Sequence, residues 1–369
     1  MYLGLSGRAP VSSDGIMTTN RGADPAAKLR IYCETLPFEE VTRPRTVALL
    51  RRHDLELVLA VRPWQLEELP GVAQVLRDGG VPVSIWPMLS DDEGRWASAH
   101  NATSFVSFLR ATADALVAAG LPPREVLLDL EPPFVHARAL AAGGGSDAGN
   151  GTLAALRPRT TSAAVMDAAS TELTSAVAEL HARGIATASA VWPLVALDPP
   201  GTRGWQSLLG TPVDALATGR VSVMMYTSIL EGWSRGAVRR RDATALLAAA
   251  SARVASRWGA SAGMSLGCVG TGALLDEPVY RSPWELAEDV ALARAGGCAD
   301  LSLFDLGGVL HREPAEAWLD AFAHGSEMID ARTRSSDSHD TSSRGSLSKR
   351  VRAARRLARI ATWALARRR

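Results

Sequence analysis

The chain contains very little cysteine and histidine. Among its 369 residues there are three cysteines (Cys33, Cys268 and Cys298) and seven histidines. The cysteines stand far apart, in or beside apolar runs, and neither a CxxC motif nor an HxH or HExxH pattern occurs. This scarcity argues against a disulfide framework, a structural zinc site and a histidine-rich metal site. We expect the three thiols to be buried and reduced.

Long apolar runs and a leader-like N-terminus are also missing. No apolar stretch reaches the roughly 20 residues that a membrane-spanning helix needs. Residues 1–27 lack a basic segment followed by an apolar one, so we expect no signal peptide and a cytoplasmic location. The same residues show no periodic pattern. They therefore predict a disordered N-terminal segment, and Met17 is an alternative start to Met1.

Charge of one sign is concentrated at the C-terminus. The formal net charge is only +1, yet residues 346–369 contain nine Lys or Arg residues and no acid. The rest of the chain is therefore net acidic, which argues against nucleic acid as a partner of the main domain. Residues 326–348 predict a Ser-rich linker. Residues 349–369 predict a basic amphipathic helix, of a kind that contacts a membrane surface or an acidic partner.

What the chain does contain is one repeating unit, between residues 28 and 325. Eight short apolar runs each precede a loop and a helical stretch; the runs are 28–34, 55–61, 81–87, 124–131, 185–192, 221–227, 264–270 and 299–306. Strands that alternate with helices predict parallel pairing through right-handed crossovers. Eight units favour a (β/α)8 TIM barrel over an open Rossmann-type sheet, since no GxGxxG follows the first run. Asn101 is expected to cap a helix over 102–119.

Polar and aromatic side chains stand where the predicted strands end. In a TIM barrel the active site lies at the C-terminal ends of the strands, so this position selects candidates. We expect the selected side chains to converge on one pocket, with three of them catalytic, namely Glu131, Asp129 and Tyr226. The others are assigned to substrate binding: Glu34, Arg62, Trp64, Trp86, Trp192 and Asp305.

The sharpest candidate is Asp129-Leu130-Glu131 at the end of the fourth run. Side chains two apart on a strand point the same way, so the two carboxylates repel each other, and the pKa of one should rise. A carboxyl with a raised pKa stays protonated near neutral pH and can act as a general acid. The pair is too close to flank a glycosidic bond from both sides, because such carboxylates stand about 5 Å or more apart.

These residues carry a resemblance to a known family. Asp129-x-Glu131 resembles the end of the D-x-x-D-x-D-x-E signature of the family 18 glycoside hydrolases, the chitinase-like barrels, and Met224-Met225-Tyr226 resembles their M-x-Y motif. The resemblance implies hydrolysis of a carbohydrate, with N-acetylated oligosaccharides among the candidate substrates. In these terms Glu131 is the general acid, Asp129 assists the acetamido group, and Tyr226 helps hold the intermediate. No cofactor is implied.

Two alternatives remain open at the level of sequence. A barrel that has lost catalysis could keep its tryptophans to bind a glycan or another protein. A sugar isomerase or lyase could instead use Glu34, Asp129, Glu131 and Asp305 as oxygen ligands of a divalent metal ion.

Overall fold

A computed structural model describes residues 29–143, 161–234 and 236–336. The segment predicted to be disordered (1–27), the predicted basic helix (349–369) and the end of the predicted linker (337–348) lie outside the described residues.

Eight parallel strands form a closed barrel in sequence order, and the eighth strand pairs with the first. The strands are β1 (Leu29–Cys33), β2 (Glu56–Val61), β3 (Val83–Pro87), β4 (Glu125–Leu130), β5 (Ala186–Val191), β6 (Arg220–Met224), β7 (Ala262–Gly267) and β8 (Asp300–Phe304). Each strand overlaps its predicted run, so the expected TIM barrel is confirmed.

Helices connect the strands on the outside of the barrel. The α-helices of the described residues are α1 (Phe38–Val41), α2 (Pro44–Arg52), α3 (Leu69–Asp78), α4 (Ala102–Ala118), α5 (Phe134–Gly143), α6 (Ala163–Ala182), α7 (Gly204–Leu209), α8 (Thr227–Trp233), α9 (Arg240–Trp258), α10 (Pro283–Ala295), α11 (Leu306–His311) and α12 (Ala315–Ser336). Short 3-10 turns occupy Pro63–Gln65, Pro193–Leu197, Val213–Ala215 and Gly259–Ser261. None of the helices described is long and apolar enough to cross a membrane.

Two predicted details differ from the structure. Helix α12 continues to Ser336, so residues 326–336, which we assigned to the linker, are helical. Asn101 does stand at the N-cap of α4, but its side chain makes no capping hydrogen bond. Instead its Nδ2 donates to the carbonyls of Glu93 and Trp96, both at 2.8 Å. Asn101 therefore ties down the loop before α4 rather than the helix itself.

Alternation along β4 shows how the strands divide their side chains. Val126 and Leu128 pack in the large apolar layer between sheet and helices, whereas Leu127 belongs to a smaller cluster inside the barrel with Tyr32. Because successive side chains of a strand point to opposite faces, Asp129 shares the inward face with Leu127. The strand order thus directs this carboxyl into the barrel.

Charged residues close the N-terminal end of the barrel. Arg30, Glu56, Glu125, Arg220 and Asp300 lie at the starts of five strands. The guanidinium of Arg220 donates to Glu125 at 2.7 Å and lies 3.6 Å from Asp300. That of Arg30 pairs with Asp300 and lies 3.5 Å from Glu56. Each acid therefore has a cationic partner, as buried charges require.

Candidate active site

The end of β4 is extended by a loop that follows β3. Direct pairing of β3 with β4 consists of Ile85 with Val126. Beyond it, Ala97 takes the place of a β3 residue: its N–H donates to the carbonyl of Asp129 at 2.8 Å, and Glu131 N–H donates to its carbonyl at 3.3 Å. The backbone of Asp129 and Glu131 is therefore held in strand geometry past the last residue of β4. We call residues 90–97 the bridging loop.

Asp129 and Glu131 form a buried carboxylate pair, with exposed fractions of 1% and 8%. Burial raises the pKa of Asp129 well above its usual value, and the charges of Glu131 and Glu34 raise it further. Burial also raises the pKa of Glu131, to about 7, although a hydrogen bond from Trp192 opposes the rise. Since burial and the charge of Glu131 both oppose ionisation of Asp129, the pair holds a proton near neutral pH.

Aromatic side chains surround this pair. Trp192 follows β5, and its Nε1 donates to Oε2 of Glu131 at 2.6 Å. Trp86 on β3 is buried, and although its Nε1 has no hydrogen bond of normal geometry to a described residue, its N–H opposes the rise in the pKa of Asp129. Tyr226 follows β6, with its ring 5.6 Å from that of Phe304. Burial raises the pKa of Tyr226, and both carboxylates of the pair add to the rise.

Glu34, just past β1, is the third carboxylate at this end of the barrel. Its side chain is only 4% exposed, and its Oε1 accepts a hydrogen bond from Arg95 at 2.9 Å. Burial raises the pKa of Glu34 to about 7, while Arg95 opposes the rise. Glu34 in turn raises the pKa values of Asp129 and Glu131. The structure therefore brings Glu34 into electrostatic contact with the pair from another strand of the barrel.

Asp305 lies at the same end of the barrel but has a partner of its own. Its Oδ1 accepts from the backbone N–H of Gly308 at 2.9 Å, and so caps helix α11. Burial raises the pKa of Asp305 to about 6, opposed by the N–H groups of Gly308 and Gly307. Its charge acts on Glu34, as does that of Glu277 from the loop after β7. We therefore assign a capping role to Asp305 in addition to its predicted role in binding.

Arg62 and Trp64 lie farther out. Arg62 is buried and donates to Asp91 in the bridging loop at 2.6 Å. Trp64 belongs to the 3-10 turn after β2, is 67% exposed, and stacks under the guanidinium of Arg62 at 4.9 Å. The structure thus places Arg62 behind the bridging loop and Trp64 at the surface, not against the carboxylate pair.

Three residues of this region were not selected from the sequence. Arg95 and Asp91 belong to the bridging loop, and Glu277 to the loop after β7. None stands at the end of an apolar run, which was the criterion for selection. The three acids followed by glycine and arginine in Asp91-Asp92-Glu93-Gly94-Arg95 were the available signal, but a charged loop is usually solvated, so this signal is weak.

No metal site is evident in the part of the chain that the structure describes. No three or more His, Cys, Asp or Glu side chains there are arranged to hold a metal ion. The four acids of the metal-dependent alternative, Glu34, Asp129, Glu131 and Asp305, are thus not grouped as one set of ligands.

Comparisons with known proteins find similarity in structure alone. No family model matches the chain, and no curated protein matches it. A glycoside hydrolase domain of PgaB (BpsB) from Bordetella bronchiseptica is similar at 13% identity, covering 81% of this chain and 99% of that one, with a TM-score of 0.46. A GH18 chitinase from Pseudoalteromonas aurantia is similar at 12% identity, 81% and 99% coverage and a TM-score of 0.44.

A D-allulose 3-epimerase from Methylomonas sp. is similar to the same degree, with 12% identity, 83% and 98% coverage and a TM-score of 0.43. The similarity to each of the three is distant.

Proposed function

We propose that this chain is a glycoside hydrolase that acts on an oligosaccharide, with Glu131 as general acid and base and Asp129 as its helper. The observation that carries the proposal is the buried pair itself. Glu131 is held by the indole N–H of Trp192 at 2.6 Å, and burial raises its pKa to about 7. A carboxyl with these properties keeps its proton until a leaving oxygen can take it.

The first half of the reaction breaks the glycosidic bond. Glu131 gives its proton to the leaving oxygen as the bond from this oxygen to C1 of the sugar breaks. In the mechanism that the family resemblance implies, the carbonyl oxygen of a 2-acetamido group forms the new bond to C1. Neither oxygen of Asp129 has a hydrogen bond of normal geometry with a described residue, although its carboxyl interacts with Glu131 and Trp86; the oxygen that carries no proton can accept the acetamido N–H.

The second half restores the enzyme. A water molecule attacks C1, Glu131 takes the proton of that water, and the bond from C1 to the acetamido oxygen breaks. The hydroxyl of Tyr226 remains protonated throughout the neutral range, because its pKa lies well above 10. It can therefore donate a hydrogen bond to the acetamido oxygen while positive charge is shared between C1 and that group.

Glu131→Gln tests the proposal. We expect hydrolysis of a chromogenic 2-acetamido glycoside to fall about 1,000-fold, because loss of a general acid typically costs 100- to 10,000-fold. In the parent protein the rate should also decline as pH rises through about 7, since Glu131 then loses its proton. Rates from a panel of chromogenic glycosides, with and without the acetamido group, provide the measurement.

The matched control is Glu179→Gln, which removes an exposed carboxylate paired with Arg110 on the outer helices. Its rate should equal that of the parent. Full activity in Glu131→Gln would remove Glu131 as the acid. Equal loss in both variants would point to a general effect of charge.

A further inference from the structure

Arg95 lies in the bridging loop at the C-terminal end of the barrel, and several hydrogen bonds fix its position. Its backbone has a φ of +60°, in the left-handed region that residues other than glycine seldom adopt. Its N–H donates to the carbonyl of Ser90 at 3.0 Å, and its own carbonyl accepts from Leu89 at 2.8 Å. Asn101 holds the loop on both sides of Arg95, through Glu93 and Trp96. Unfavourable backbone geometry that the surrounding structure maintains is concentrated at functional sites.

The Arg95 side chain is held as firmly as its backbone. Its guanidinium donates two hydrogen bonds to Asp91, at 2.9 and 3.0 Å, and one to Glu34 at 2.9 Å. It also stacks over the ring of Phe134 at 4.6 Å. A planar guanidinium with fixed donors suits this arrangement, whereas an ammonium group could not make the paired bonds to Asp91.

Acidic groups outnumber basic groups around Glu131. Besides the pair itself, the titratable and charged groups at this end of the barrel include Cys33, Glu34, Arg62, Asp91, Arg95, Tyr226, Cys268, Glu277 and Asp305, and Glu34 and Arg95 act on Glu131 directly. Of these, Arg95 is the cation that acts on Glu131 directly, whereas Arg62 reaches only Asp91. The charge state of Glu131 therefore depends on Glu34 and Arg95 with opposite signs.

We propose that Arg95 is a positioning residue: its guanidinium holds Glu34 at a fixed place beside Asp129 and Glu131, and so sets the pH at which Glu131 exchanges its proton. The inference rests on the proposed function, because it concerns the same acid. It goes beyond that function by assigning the control of the acid to a loop residue that touches no reacting atom.

Opposite substitutions should move the titration of Glu131 in opposite directions. Glu34→Gln removes a negative charge and leaves Arg95 uncompensated, so the pKa of Glu131 should fall. Arg95→Gln removes the cation and leaves Glu34 uncompensated, so the pKa of Glu131 should rise. Each shift should be about one pH unit, as for one charge at close range. Arg95→Lys keeps the cation but loses the paired bonds to Asp91, so the pKa of Glu131 should lie between its values in the parent and in Arg95→Gln.

Trp192 supplies a readout that does not require turnover. Its indole donates to Glu131, so its fluorescence should respond when Glu131 loses a proton. We would titrate each full-length protein from pH 4 to pH 9 and subtract the same titration of its Trp192→Phe version. Arg110→Gln is the matched control, because it breaks an exposed ion pair with Glu179 on the outer helices.

A fall for Glu34→Gln and a rise for Arg95→Gln, with no change in Arg110→Gln, would support the inference. Shifts of the same sign, or no shift in a folded protein, would overturn it. If Arg95→Gln does not fold, a fall in Glu34→Gln with a rise in Arg95→Lys supports the inference, and any other combination overturns it. Opposite shifts in a protein without glycosidase activity would retain the inference about Glu131 and reject the proposed function.

Discussion

The two ends of this barrel use buried charge in opposite ways. At the N-terminal end, Arg30 and Arg220 pair with three acids, and the arginines lower the pKa of Glu56 although burial would raise it. At the C-terminal end, Asp129 and Glu131 form no ion pair with an arginine of the described residues, and burial raises the pKa values of Glu34 and Glu131 to about 7. A network of ion pairs keeps carboxylates charged, whereas buried carboxyls without such pairs retain protons. Paired charges and carboxyls with raised pKa values therefore lie at opposite ends of the barrel.

The first prediction tests the ion-pair network at the N-terminal end by removing one of its cations. Arg220→Met should lower the free energy of unfolding by about 3 to 5 kcal/mol, because it leaves Glu125 and Asp300 buried without this partner. Urea unfolding measures the loss. Arg110→Met, which breaks an exposed pair, should show no measurable loss. A small loss in Arg220→Met would show that the network contributes little.

A second prediction compares the ends through pH. Glu34 and Glu131 have folded pKa values raised from 4.5 to about 7. The stability they contribute is thus complete below about pH 4.5 and is lost as pH rises through about 7. Between pH 5 and pH 8 the free energy of unfolding should fall by up to about 3 kcal/mol for Glu131 alone.

Glu131→Gln should flatten this dependence in urea unfolding measured across that range. Glu56→Gln is the control from the other end. The pKa of Glu56 is lowered, so this carboxylate stabilises the fold above pH 4.5, and its loss should lower stability at both pH 5 and pH 8. If the free energy of unfolding of the parent instead rose from pH 5 to pH 8, the raised pKa values of Glu34 and Glu131 would be contradicted.

The smallest effect is expected at the outer edge of the C-terminal end. Trp64 is 67% exposed, so Trp64→Ala should change the free energy of unfolding by about 0.5 kcal/mol or less. We expect a KM within about fivefold of the parent and an unchanged kcat, since stacking on Arg62 is worth about 0.5 to 1 kcal/mol. Steady-state kinetics of Trp64→Ala and Trp192→Phe, measured together, test this. Trp192 donates a hydrogen bond to Glu131, so Trp192→Phe should change kcat.

Much of the fold could be predicted because burial leaves a strong periodic signal. Eight apolar runs sufficed for the barrel, and the alternation of side chains on β4 indicated that Asp129 and Glu131 share a face. The same criterion placed Trp64 with the site, but Pro63 starts a 3-10 turn after β2 and turns the indole outward. Position at a strand end indicates the face of the barrel, not the direction of a side chain beyond the strand.

Arg95 could not be predicted by these means. Its place depends on a parallel bridge between Ala97 and Leu130, on a left-handed backbone, and on the amide of Asn101. Each of these is a contact between segments that a single sequence does not reveal. The sequence suggested that the Asn101 side chain caps α4, but that side chain bonds to the preceding loop instead. Polar side chains in loops have several partners within reach, and tertiary structure decides among them.

The bridging loop has a consequence for how such a protein can change. It completes the sheet beside β4 with loop backbone, and it carries the guanidinium that contacts Glu34. Backbone pairing at Ala97 does not depend on side-chain identity, so the exposed residues Asp92 and Glu93 can vary while β4 keeps its support. Substitutions in this short loop can therefore change the pKa values of the nearby carboxyls, in evolution or in the laboratory, while the eight strands stay the same.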